Sequence, residues 1–193
     1  MTALILGLLL FLGVHSVRSV ADGWRSRTIA RVGEGRWKGA YTLLSLAGLA
    51  LIVWGFGLAR ATPVVLWATP VWTRHLAALL MLVSLVLLAA AYVPGNQIKA
   101  MLHHPMVLGV KVWALAHLLA NNTLADLLLF GGFGAWAVLN FRAARQRDRA
   151  TGAVYPAGTP GATLGAAAVG VAAWAVLAFW AHGWLFGVRP FGR

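Results

Sequence analysis

Residues 103–121 read HHPMVLGVKVWALAHLLAN. Pro105 stands where the first turn of a helix tolerates a residue without an N–H. An apolar run follows, interrupted only by Lys111, and Asn121-Asn122 is a helix stop. On a helix, His117 shares its face with Ala114, Trp113, Val110 and Met106. One ionisable ring therefore stands on an otherwise apolar face. In a membrane such a residue is a functional-site candidate by default, because hydrocarbon gives it no solvation. The alternative is a neutral imidazole bonded to a backbone carbonyl on a neighbouring helix.

The rest of the chain supplies the membrane context. Of 193 residues, 61% are hydrophobic and 10% charged, against roughly 25% charged in a soluble domain. Mean hydropathy is +0.79. Soluble classes are excluded. Six apolar segments approach the ~20 residues that cross a bilayer: 2–17, 40–59, 71–92, 106–120, 124–141 and 163–186. The first and fourth are short. Gly33-Glu34-Gly35, Thr62-Pro63, Thr69-Pro70, Pro94-Gly95-Asn96, Asn121-Asn122 and Gly158-Thr159-Pro160-Gly161 separate them. The expected fold is all-α: one polytopic membrane bundle of about six transmembrane helices over residues 1–193. The opening MTALILGLLLFLGVHSVR has no basic start and no small-residue cleavage site, so we expect a retained span, not a signal peptide.

The formal charge of +12 would point to nucleic acid in a soluble protein. Here the basic residues gather in alternate loops. Arg18, Arg25, Arg27, Arg31, Arg36 and Lys38 lie in the first, Lys99 in the third, and Arg142, Arg145, Arg147 and Arg149 in the fifth. By the positive-inside rule those loops are cytoplasmic and both termini lie outside. The partner of this charge is an anionic lipid leaflet, with no nucleic acid implied. Val20, Trp24, Ile29, Val32 and Trp37 are scattered through the first loop and predict an interfacial helix there. The chain has no cysteine, which excludes disulfides, thiolate catalysis and Cys-ligated clusters.

Four acidic residues, Asp22, Glu34, Asp126 and Asp148, fall in loops or near span ends. Without a carboxylate pair in the membrane, paired-carboxylate hydrolysis and hard-cation cages are excluded. HExxH, GxSxG and Walker patterns are absent. What remains is imidazole nitrogen in an apolar, aromatic-rich interior, from His15, His75, His103, His104, His117 and His182. That chemistry suits haem b, which takes histidine axial ligands, apolar walls and cationic partners for its propionates. The ten Trp and eight Phe can pack a porphyrin or a polyene. For most of them, ordinary packing and interfacial anchoring come first.

Several elements together resemble a known family. They are His15-Ser16, the Arg-rich loop ending Gly33-Glu34-Gly35-Arg36, Tyr41, His104-Pro105-Met106-x-x-Gly109, and Trp113-x-x-x-His117-Leu118. Over nearly the whole chain they resemble the NnrU family, bacterial membrane proteins associated with denitrification genes and nitric oxide reduction. That family is similar to the plastid zeta-carotene isomerases, haem b enzymes that flip a cis double bond in a polyene. The resemblance implies a bacterial inner-membrane location, haem b, His15 and His117 as axial ligands, and an isomerase-like or redox role with a polyene or redox partner. The isomerases carry a Cys three residues before the later His. This chain has Ala114 there and lacks that second ligand.

Depth in the bilayer offers other pairings. His15 falls toward the cytoplasmic end of its span and His117 toward the outer end of its own. At about 1.5 Å per residue in a ~30 Å core, their rings differ in depth by on the order of 10 Å. Depth alone pairs His75 with His117, and His15 with His103 or His104. His75 is thus a reserve ligand and Arg74 a propionate partner. Lys111 either snorkels to headgroups or meets a propionate. His103, His104 and His182 read first as interfacial or solvated, with His104 kept as a cofactor contact.

Three other classes compete. One is a non-enzymatic accessory or assembly factor with structural histidines. Another is a membrane methyltransferase, since His-Pro-x-x-x-Gly also resembles the enzymes that modify isoprenylated cysteine. Those enzymes use a carboxylate-bearing C-terminal segment, and no acidic residue follows Asp148 here. A transporter would want broken helices or charges near the midplane, and the chain offers only Lys111.

Overall fold

The computed structural model describes residues 1–191. In chain order the helices are α1 (Thr2–Val20), α2 (Asp22–Val32), α3 (Glu34–Ala61), α4 (Trp72–Tyr92), α5 (Gln97–Leu102), α6 (Pro105–Ala120), α7 (Leu124–Thr151) and α8 (Pro160–Val176). A π-helical turn at Leu177–Ala181 leads into α9 (His182–Phe186). Among the described residues β pairing amounts to isolated bridges, Val65 with Thr123 and Asn96 with Thr159. Five helical segments are long and apolar enough to cross a membrane: α1, α3, α4, α7 and the run Pro160–Phe186. The sixth expected span, α6, has 16 residues, about 24 Å of helix against a core of ~30 Å. The fold is a helical membrane bundle of about six such helices.

Local chemistry sets the ends. Pro105 opens α6 with His104 as its N-cap. Asn96 caps α5 by accepting from the Lys99 N–H, and Thr159 caps α8 by accepting from Ala162. At the other end of α6 the His117 carbonyl accepts from both the backbone N–H and the side-chain amide of Asn121. The helix expected in the first loop is α2, which buries none of its residues. Trp24 and Trp37 meet edge to face nearby, with centroids 5.7 Å apart.

The expected fifth loop is different. The basic stretch Arg142, Arg145, Arg147 and Arg149 continues α7, whose 28 residues make about 42 Å, more than a ~30 Å core holds. Good helix formers fill this stretch, and no breaker intervenes before Gly152, which takes φ +61°.

The chain divides into two compact units. The first comprises Met1–Trp67 and Thr123–Trp136. In it α1 and α3 run antiparallel at very close range. Gly7 lies against the Ile52 backbone, Gly48 against Phe11 and Gly55 against Leu4. Leu4, Leu8, Ile52, Ala59 and Ala125 form its core, with Phe11, Phe56 and Phe133 packed around them. Lipid tails are as apolar as leucine, so small residues that let backbones approach are what hold such helices together.

The second unit comprises Ala68–Asn122 and Ala137–Arg193. Here α4 sits against α6 and α8. The fully buried Ser84 hydroxyl donates to the Gly109 carbonyl at 2.8 Å. The Trp174 indole N–H donates to Ala78 at 2.9 Å, and Gly170 abuts the Val86 backbone.

Candidate cofactor site

Two of the six histidines share one local geometry. On α1, the His15 Nδ1–H donates to the Phe11 carbonyl one turn back, at 2.7 Å. The imidazole stacks on the Phe11 ring, with centroids 4.2 Å apart and planes 26° apart. Tyr41 of α3 lies 5.2 Å away, and the edge of Trp136 closes the wall at 6.4 Å. On α6, the His117 Nδ1–H donates to the Trp113 carbonyl at 2.9 Å, and the Trp113 ring lies 5.2 Å from the imidazole. Both are aromatic-x-x-x-His turns. The carbonyl that the Nδ1 of each imidazole meets belongs to its own helix. With Nδ1–H held in this way, a neutral ring carries its lone pair on Nε2. The same second contact orients imidazoles that ligate metals.

His15 belongs to the first unit and His117 to the second. His75 and Arg74 are exposed on the first turn of α4. The buried stripe of that helix runs through Thr73, Ala77 and Ser84. Two residues are about 200° of helical turn, so His75 is not on the face that carries Ala77. Lys111 is half-buried, with its ammonium 4.8 Å from the centre of the Phe141 ring. A desolvated cation is favoured over an aromatic face. The His182 Nδ1–H donates to the Val188 carbonyl at 2.6 Å, which ties α9 to the segment after it.

His103 and His104 depart most from their sequence reading. They are engaged, not solvated. The His104 Nε2–H donates to Asp148 Oδ2 at 2.8 Å, and Asp148 Oδ1 accepts from the Tyr155 hydroxyl at 3.1 Å. The Arg145 guanidinium donates to His103 Nδ1 and sits 3.6 Å from Asp148. Tyr155 stacks on the His103 ring at 4.0 Å. The Asp148 side chain is 14% exposed amid these partners. His103 itself takes φ +66°, the left-handed region that costs a residue with a Cβ. Asp148 is 44 residues from His104 in sequence. The i, i+3 pairing of Arg145 with Asp148 was the available local signal, and Tyr155 gave none.

Burial pushes the Tyr155 phenol above its ordinary value of 10.0, and its hydrogen bond to Asp148 and the Asp148 charge push the same way, against an opposing pull from Arg145. The folded chain therefore holds this proton more tightly than the unfolded chain. The stabilisation is complete below pH 10.0 and is lost as pH rises through the raised value. Tyr155→Phe should remove that alkaline component and cost under about 1 kcal/mol at neutral pH. Thermal unfolding in detergent across the alkaline range checks it. An unchanged alkaline slope in the variant would show that the phenol carries no such linkage.

Among the described residues no three His, Asp or Glu side chains form a group that could hold a metal ion. The donors on offer are single imidazoles, as an iron porphyrin takes them. An apolar hollow of about 460 Å³ lies between α4 and α8, lined by Leu85, Leu88, Tyr92, Pro94, Val169 and Ala173. No histidine lines it.

These features define a polytopic helical membrane protein whose span interiors offer oriented imidazoles and no carboxylate pair. The family model "NnrU protein" matches residues 3–190, and the chain belongs to that family. No curated protein and no solved structure matches it.

Proposed function

We propose that this NnrU-family protein binds haem b through histidine, with His15 and His117 each a candidate iron ligand within its own unit. The observation that carries the reading is the repeated aromatic-x-x-x-His turn. In each, an in-helix carbonyl holds Nδ1–H and presents the lone pair of Nε2. Bound haem would supply a redox-active iron whose potential its ligands and surroundings tune. The chain's own residues do the rest. Phe11 and Trp136 wall the His15 imidazole with rings, Phe133 packs on Phe11, and Trp113 lies beside His117. Lys111, held on Phe141, is a cation for a propionate, with Arg74 at the exposed start of α4 as another. His75 and His104 stand behind the first pair, although the Nε2 of His104 already serves Asp148.

On the family resemblance we place the protein in the bacterial inner membrane and in nitric oxide metabolism or denitrification. Its role there is that of a redox protein or an isomerase-like catalyst on a polyene. The test is the absorption spectrum of the full chain purified in detergent from haem-replete cells. We expect a Soret band and a b-type pyridine haemochrome. If well-folded protein shows neither, even after haem is added, the reading fails and a non-enzymatic accessory factor takes its place.

A further inference from the structure

We propose that Tyr41 and Ser45 belong to the His15 site and donate hydrogen bonds to the carboxylates of the bound porphyrin. The inference rests on the haem reading above and deepens it. Tyr41, Ser45, Gly48, Ile52 and Gly55 follow one another at intervals of four, three, four and three, which is one face of α3. That face meets α1. Gly55 touches Leu4, Ile52 touches Gly7, Gly48 touches Phe11, and Tyr41 lies beside His15. Ser45 sits in the same register, one turn from Tyr41, opposite the Phe11–His15 turn.

The polar atoms on this face are not satisfied by one another. The Ser45 hydroxyl is buried without a hydrogen-bond partner among the described residues. The Tyr41 phenol contacts the His15 ring, and no hydrogen bond from its hydroxyl occurs among the described residues. Native structures rarely leave a buried hydroxyl orphaned, so the Ser45 hydroxyl, one turn from Tyr41, is the mark of an absent partner. Both groups donate, so that partner is an acceptor.

Among the described residues no group accepts from the Ser45 hydroxyl. The nearest carboxylate on α3 is Glu34, and it is paired with Lys38 at 2.9 Å. A haem brings two carboxylates of its own. Tyr41 lies seven residues into α3, about 10 Å from its start, at the end of the unit where Arg36 and Lys38 stand. Charge complementarity points the carboxylates that way.

The test compares haem b with its dimethyl ester, which keeps the iron and macrocycle but replaces the charged carboxylates with weaker, neutral ester acceptors. Affinities for the full-length protein are read from Soret titrations in detergent. We expect Tyr41→Phe and Ser45→Ala each to weaken haem b binding by about tenfold to a hundredfold, the loss of one hydrogen bond to a charged group. Binding of the ester should fall by only about twofold to threefold in both variants, the loss of a weaker neutral hydrogen bond, which also shows that they fold. Unchanged affinity for both porphyrins, or an equal loss for both, overturns the inference while the haem reading stands. Wild-type protein that binds neither porphyrin overturns both.

Discussion

His117→Ala should abolish or strongly alter the Soret band of haem-loaded protein, and the chain should still insert and fold. This is the largest expected change in function, because the substitution removes a donor atom and little else. Alanine is the best helix former, and α6 already carries Ala114 and Ala116 fully packed on either side of the turn. The Trp113 carbonyl loses one side-chain donor, at a cost of about 1 kcal/mol. The band is the readout, with far-UV helicity and detergent elution as folding controls. Added imidazole should restore much of it if His117 acts as a ligand, and none of it if the residue only packs. His15→Ala should change the spin state of the iron. If His75→Ala does so in its place, ligands pair by depth along the bilayer and the family-based pairing is wrong. An unaltered Soret band in His117→Ala would remove this residue from the site altogether.

The parts of the fold written locally were legible. Pro105 and Asn121 bracket α6 because one lacks an N–H where none is needed and the other caps a carbonyl from its side chain. The first loop declared α2 through apolar residues scattered among its charges. The charge pattern misled at α7. A run of arginines reads as a loop flanking a span, yet Ala143-Ala144-Arg145-Gln146-Arg147 holds a helix as well as any apolar run.

The site was half legible. An imidazole on an apolar face can be picked out from spacing alone, but its partner cannot. The in-helix carbonyls that hold His15 and His117 depend on a side-chain rotamer, and the pattern leaves that open. His104 and Asp148 meet across 44 positions. Neither residue carries a local mark of the other, so only the packing of the second unit joins them.

Gly55→Leu should be the most damaging single substitution in the first unit, and its effect should reach the His15 site. A Cβ placed on Gly55 would stand 2.3 Å from the Leu4 amide nitrogen and 2.8 Å from Ala3 C and Leu4 Cα. Those are backbone atoms of a helix, so no rotamer change relieves the overlap, and α1 must move away from α3. Leu4 is fully buried at that contact. A core that can adjust loses about 1–3 kcal/mol to an added side chain. Here the loss should exceed the top of that range, because separation also undoes the packing of Gly7 and Gly48 along the same face. In lipid the added leucine returns no hydrophobic gain to offset it. Gly57→Leu is the control. A Cβ at Gly57 meets nothing within 4 Å, and the change should stay within about 0.5 kcal/mol. Thermal unfolding in detergent separates the two variants. Because Tyr41 stands on the stripe that Gly55 anchors, Gly55→Leu should also weaken haem binding where Gly57→Leu does not. Equal stability of the two variants would mean that α1 and α3 are not in backbone contact, and the His15–Tyr41 neighbourhood would lose its support with it.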